Sequence, residues 1–227
     1  MRKDLTVLIK SLEYSFKDIE LLKKALLHSS AKLSGDDKNN SNERLEFLGD
    51  RVLSLVIAQI LLQMFPSENE GDLAKRHSAL VKKHTLFTVA ESLCIGDFIY
   101  MSEGEVSSGG RNNIKILSDC CEAIIAAIYL DGGLIEVSNF IKRHWVSKIM
   151  YTQSPPKDYK TTLQEWCQTH SSDLPVYKEI ERQGPPHKPE FLIQVSVKNR
   201  STIRGNGTSK KEAEQNAAKL MLLDLKH

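Results

Sequence analysis

Charged or polar residues interrupt every hydrophobic stretch of this chain well short of the roughly 20 apolar residues that a membrane-spanning helix needs. Met1-Arg2-Lys3-Asp4 leads into an amphipathic segment carrying Lys10, Glu13, Lys17 and Asp18, unlike the apolar centre of a signal peptide, so a soluble, cytoplasmic chain with no membrane partner is expected. The four cysteines, Cys94, Cys120, Cys121 and Cys167, show no CxxC spacing and are too few for a disulfide scaffold. They read as reduced thiols, and the neighbours Cys120 and Cys121, which would point about 100° apart on a helix, read as core or packing thiols. The histidines are scattered, which leaves no His/Cys cluster for a soft metal. Net charge is also scarce: the formal value is +2, with a basic surplus confined to the C-terminal third. Residues 155–227 hold 12 Lys and Arg against 9 Asp and Glu, and the remainder holds 19 against 20. A polyanion partner must therefore be argued from the placement of particular lysines.

An apolar fraction of 41% in 227 residues is enough for one larger and one small buried core. Tyr151-Thr-Gln-Ser-Pro-Pro-Lys157 has two prolines and no periodicity, and reads as a linker over 151–157. Before it, helical spacing runs over Ile19–Leu27, Glu43–Phe65, Asp72–Ser92, Asp119–Leu130 and Leu134–Met150, broken by polar loops at Gly35–Asn42 and Met101–Asn113. Residues 1–150 are thus expected to form an all-α domain. Beyond the linker, residues 158–227 predict a small α+β domain. Its order is a helix over Tyr159–Thr169, strands over Val176–Gln183, Glu190–Lys198 and Ser201–Gly205, and a helix over Lys210–Leu225. Phe191, Ile193, Val195 and Val197 alternate as one buried strand face should.

Chemistry concentrates first in Asn42-Glu-Arg-Leu-Glu-Phe-Leu-Gly-Asp-Arg-Val-Leu53. At about 100° per residue, Glu43, Glu46 and Asp50 fall within about 60° of one another on a helix surface. Acids near a helix N-terminus favour its dipole, and Ser41 or Asn42 would cap it, which accounts for Glu43 and part of Glu46. Asp50 lies two turns in, where that benefit has faded. On this helix alone, a capped terminus and a cation site both stay open. A second helix, Ser118-Asp-Cys-Cys-Glu-Ala-Ile-Ile, adds Asp119 and Glu122 one turn apart on its polar edge. Four converging oxygen donors without His or Cys describe a hard-cation site for Mg²⁺ or Mn²⁺ that leaves positions for water and phosphate, suited to phosphodiester hydrolysis.

The start of the last helix, Gly205-Asn-Gly-Thr-Ser-Lys-Lys-Glu-Ala-Glu214, supplies a second signal. Ser209 and Glu212 have capping-box spacing, which puts Lys210 and Lys211 in the first turn, where cations oppose the dipole by a few tenths of a kcal/mol each. The same lysines, together with free backbone N–H groups, make a phosphate site; the plainer alternative is a solvated charged face.

The segment Asn42–Leu53 resembles the signature of the bacterial ribonuclease III family. Ser108-Gly-Gly-Arg111, Asp119-Cys-Cys-Glu122-Ala and Ile128-Tyr-Leu-Asp-Gly-Gly133 resemble that family's second active-site block, and residues 158–227 resemble a double-stranded RNA-binding domain. The resemblance implies an Mg²⁺-dependent endoribonuclease for double-stranded RNA, with Mn²⁺ able to substitute. Its metal ligands would be Glu46, Asp50, Asp119 and Glu122, with Asp50 and Glu122 as the catalytic pair and Glu43 and Glu70 as secondary acids. It implies that Thr161, Gln164 and Glu165 touch one minor groove, His187 the next, and Lys210 and Lys211 the phosphates between. It further implies a homodimer through the helical domain, with Phe47 and Leu48 as candidate interface residues, core packing being the alternative for both, and staggered cuts leaving 5′-phosphate and 3′-hydroxyl ends. The substrates would be ribosomal RNA precursors and some messenger and transfer RNAs.

His77, Lys115 and Ala126 depart from the family pattern, and Lys115 would place a cation beside the carboxylates. Two other readings compete. One is a non-catalytic double-stranded RNA-binding protein whose helical domain only dimerises, against which the complete acid set argues. The other is a different metal-dependent phosphohydrolase, against which the missing adjacent His-Asp pair argues.

Overall fold

The structure is a computed structural model, described here for residues 4–31, 41–151, 158–170, 173–185, 189–198 and 200–225. The chain divides into two compact units, Met1–Pro156 and Lys157–His227.

The first unit is helical: α1 (Leu5–Leu12), α2 (Ile19–Ala25), α3 (Glu43–Met64), α4 (Glu70–Leu80), α5 (Lys83–Ser92), α6 (Glu103–Ser107) and α7 (Ile114–Tyr151). Its centre is the packing of α3 on α7. Leu45, Gly49, Val52, Leu53, Val56, Ile57, Ile60 and Leu61 form the buried face of α3, at the three- and four-residue spacing of one helix side. The matching stretch of α7, Ile116–Ile128, is buried residue after residue, so this half of the helix is the core of the unit. Gly49 sets how close the two helices come. A Cβ built there would lie 1.8 Å from the carbonyl oxygen of Glu122. No side chain fits between the backbones, and that contact falls one turn from Glu46 on one helix and at Glu122 on the other.

Local features differ from the sequence expectation at several points; the expected polar loop at Met101–Asn113, for one, holds the short helix α6. The stretch Asp72–Ser92 is two helices, α4 and α5. The buried residues Arg76 and Leu80 are out of phase with Thr85, Leu86, Val89 and Ala90, so one straight helix could not bury both sets, and Lys82 is extended between them. α7 begins at Ile114, earlier than the expected Asp119, because the Asn113 carboxamide oxygen accepts from the backbone N–H of Lys115 at 2.8 Å and caps the helix. The expected break at 131–133 is present as a bend: Gly133, with φ of 78° and ψ of −173°, glycine's own territory, interrupts the helical backbone between the two halves of α7. Asn42, finally, does not cap α3 through its side chain. The residue is buried with helical backbone angles, and its Nδ2 donates to the Ala25 carbonyl at the end of α2.

Asp131, just before that bend, accepts from the Tyr14 hydroxyl at 2.6 Å and from the backbone N–H groups of Lys17 and Asp18 at 2.9 and 2.8 Å. This fastens the segment between α1 and α2 to α7. Arg76, 2% exposed, makes two bonds to the Glu68 carboxylate and lies 3.8 Å from the Phe65 ring centre. Cys120 and Cys121 are buried, as expected of the pair, and so is Cys167 in the second unit, whereas Cys94 is exposed.

The second unit follows the order α8 (Tyr159–His170), β1 (Val176–Gln183), β2 (Glu190–Ser196), β3 (Ile203–Gly207) and α9 (Lys210–Asp224). The strands form one antiparallel sheet in the order β1-β2-β3, with a bulge between Glu179 and Glu181. Ile193, Val195 and Val197 point inward, and Val195 and Val197 pack with Leu163 and Cys167 of α8 and with Ala217, Ala218 and Met221 of α9. At the start of α9 the Ser209 hydroxyl accepts from the Glu212 N–H, while the Glu212 carboxylate accepts from the Thr208 N–H, which fixes the terminus.

Candidate metal centre and nucleic-acid interface

Glu46 of α3 meets Asp119 and Glu122 of α7 across the helix contact at Gly49. One carboxylate oxygen from each of the three lies within 4.8 Å of the others. Octahedral coordination at about 2.1 Å places ligand oxygens roughly 3 to 4.2 Å apart, so small side-chain rotations would close this set on a hard divalent ion. All donors are oxygen, which suits Mg²⁺ or Mn²⁺.

The electrostatics point the same way. Burial first, then the charges of Asp119 and Glu46, push the Glu122 carboxyl up to about 7, with Lys83 and Arg51 opposing. Burial, Asp119 and Glu43 likewise raise Glu46 above the ordinary carboxylate value, against Lys115 and Lys83. Without a counter-ion these acids resist ionising together, and a divalent cation would remove that resistance.

The other acids lie outside this group. Asp50, one turn beyond Glu46, is 40% exposed and paired with its neighbour Arg51. Glu43 is exposed in the first turn of α3, and Glu70 is exposed at the first position of α4. Two lysines converge instead on Asp119. The Lys115 Nζ lies 2.8 Å from Oδ2 and the Lys83 Nζ 3.4 Å from Oδ1. The hydrogen bond and the charge of Asp119 raise Lys115 above its ordinary value. Lys83 is a residue that sequence reasoning missed. Its signal was the out-of-phase apolar spacing around Lys82-Lys83-His84, which marks a helix start rather than a solvated face. Of the other departures, His77 Nε2 sits 3.0 Å from both the hydroxyl and the carbonyl of Ser54, and Ala126 is fully buried.

In the second unit, Thr161 and Gln164 of α8 share one open groove with Lys210 and Lys211 of α9, and Lys160 also lines it. Glu165 is exposed on α8. Lys211 is exposed at the helix start, and Lys210 reaches Glu179 at 3.4 Å. Lys160, unremarked in the sequence, pairs with Glu214 at 2.6 Å and lies over the Tyr177 ring. His187 lies outside the described residues. On the first unit, Phe47 is 67% exposed, whereas Leu48 is half-buried against the core, so the two proposed interface residues differ in availability.

Residues 18–149 match the model of a ribonuclease-III-like family, and residues 159–225 match the double-stranded RNA binding motif. Among curated relatives, Ribonuclease 3 of Ehrlichia ruminantium (strain Welgevonden) is 45% identical over 96% of this chain and 96% of its own. Ribonuclease 3 of Wolbachia pipientis subsp. Culex pipiens is 44% identical over 96% and 95%. Among solved structures, the nuclease domain of ribonuclease III from Campylobacter jejuni aligns with 63% of this chain and 99% of its own, at 43% identity and a TM-score of 0.58. With both units matched in order and relatives aligned nearly end to end, the chain belongs to the ribonuclease III family and is an endoribonuclease specific for double-stranded RNA.

Proposed function

We propose that this endoribonuclease is Mg²⁺-dependent and homodimeric and cuts both strands of a duplex with a stagger. The observation that carries the reading is the convergence of Glu46, Asp119 and Glu122 from two helices locked together at Gly49. Those three residues would hold the ion, Mg²⁺ or in its place Mn²⁺. The bound ion supplies Lewis-acid activation of the attacking water and neutralises charge building on the phosphate and the leaving 3′ oxygen. Asp50, one turn from Glu46 and partly exposed, would orient the water once Arg51 releases it. Glu122, on the buried side, fixes the position of the reacting centre, and Glu43 and Glu70 add negative potential around it. Attack by water leaves 5′-phosphate and 3′-hydroxyl ends.

Residues 1–150 serve as the catalytic unit, 151–157 as the linker and 158–227 as the duplex-binding unit. There Thr161, Gln164 and Glu165 meet 2′-hydroxyls and base edges, His187 the neighbouring minor groove, and Lys210 and Lys211 the intervening phosphates. One acidic cluster per chain cuts one strand, so a second copy is needed for the other. The Campylobacter jejuni nuclease domain is described as structurally flexible in a region involved in dimer formation. In this chain Phe47, Arg51, Leu55 and Leu62 are exposed along one side of α3, a stripe that suits a self-complementary contact. The expected setting is the cytoplasm, and the expected substrates are precursors of ribosomal RNA with some messenger and transfer RNAs.

The test is digestion of a long RNA duplex by wild type and by Glu122→Ala, with Mg²⁺ and with chelator, alongside binding of the same duplex. Short duplexes with 5′-phosphate ends only from the wild type with Mg²⁺, and unchanged binding by the variant, are expected. A wild type that binds the duplex and never cuts it under any divalent ion would overturn the reading.

A further inference from the structure

The Asp119 carboxylate faces two competing demands. Each of its oxygens has an ammonium group against it, and the two come from different helices. Lys115 reaches Oδ2 from one turn earlier on α7, and Lys83 reaches Oδ1 from the first residue of α5. The Asp119 side chain is 10% exposed, while Lys115 and Lys83 are 73% and 59% exposed. The lysines therefore lie over a sheltered carboxylate on its open side, with their stems free to move into water. Glu46 and Glu122 complete the acidic group within 4.8 Å. A divalent ion seated among the three would need a lone pair of Asp119 at about 2.1 Å, with no ammonium in front of it.

We propose that Lys115, assisted by Lys83, is a built-in competitor for the divalent ion at Asp119, so that loading the site displaces an ammonium from the carboxylate and raises the metal concentration the protein requires. This rests on the reading of Glu46, Asp119 and Glu122 as the ligand set. The charges make exchange the favoured course. The two lysines offset only part of the charge of the three carboxylates, and a further two positive charges brought by the ion repel ammonium groups at contact distance in a partly sheltered site. Lysine suits the part because its single charge sits on a flexible stem and makes no planar two-point bond to the carboxylate. Lys115 is thereby a positioning residue that acts through Asp119.

The experiment titrates Mn²⁺ alone into the full-length protein without RNA and follows the free ion by its electron paramagnetic resonance signal. Lys115→Met and Lys83→Met keep most of each stem and remove the charge, and Glu122→Gln tests the ligand set. Lys115→Met is expected to bind Mn²⁺ about two- to fivefold more tightly than wild type, and the double variant roughly tenfold, from the known range of exposed ion pairs. Lys115→Arg keeps the cation and should gain no affinity. Unchanged or weakened binding in both Lys115→Met and the double variant sinks the competition. If Glu122→Gln binds Mn²⁺ as well as wild type does, the ligand set itself is wrong and the proposal goes with it, a failure visible without any lysine variant.

Discussion

Glu122→Gln should make the metal-free protein more stable at alkaline pH while destroying its response to metal. In the folded protein the Glu122 carboxyl is raised from 4.5 to about 7, by burial first and then by Asp119 and Glu46. The unfolded chain ionises near 4.5, so folding takes up a proton between these values. Relative to neutral glutamine, Glu122 costs nothing below pH 4.5, an increasing amount as pH rises through 7, and a constant amount above. The full shift corresponds to about 3 kcal/mol at 1.36 per unit, and partial solvent access reduces this to on the order of 2 kcal/mol. Glutamine is nearly isosteric and carries no charge, so at pH 8 in chelator the variant should exceed wild type by about that much. The gap should close towards pH 5.

Adding Mg²⁺ should stabilise wild type and leave the variant nearly unmoved, which inverts the order. Urea unfolding in a Trp166→Phe background isolates the fluorescence of Trp145, which is fully buried in the helical unit. A variant less stable than wild type at pH 8 in chelator, or a gap that does not change with pH, would refute the reasoning.

Gly49→Ala should disable the centre by separating its helices, since the new methyl would sit 1.8 Å from the Glu122 carbonyl oxygen. Overpacking of this kind costs about 1–3 kcal/mol. RNA cleavage should fall at least 100-fold at temperatures where circular dichroism shows the variant still folded, and cleavage near the wild-type rate would count against Gly49 as the spacer. Lys211→Ala, at the exposed start of α9, should weaken duplex RNA binding nearly equally across sequences and reduce the slope of log affinity against log salt by about 0.7–1. An unchanged slope would mean that Lys211 touches no phosphate.

The fold and the site were legible to different depths. The acids of α3 and α7 stand out because carboxylates at three- and four-residue spacing against apolar faces are improbable decoration. The alternating Phe191–Val197 run gives the sheet its inward side in the same way. What the spacing does not carry is which turn of one helix meets which turn of the other. That is set at Gly49, a residue with no side chain to signal its role, although a glycine inside an apolar helix is itself a sign of close backbone approach. Lys83 is hidden because the apolar pattern of residues 72–92 reads as one helix, which leaves this lysine mid-surface and not at a helix start facing Asp119. Asn42 went astray for a similar reason. Its side chain satisfies the end of α2, a partner 17 residues away, and local propensity carries no information about that contact.

The tie at Asp131 constrains the order of events during synthesis. The Lys17 N–H it accepts from precedes it by 114 residues. At translation rates of about 5–20 residues per second, the amino-terminal helices wait roughly 6–23 seconds before their anchor has been made. The helix that carries the anchor also forms the centre of the core, so the buried face of α3 stays uncovered over much of the same interval. The newborn chain thus carries an apolar helix without its mate until the second half of the unit has been made.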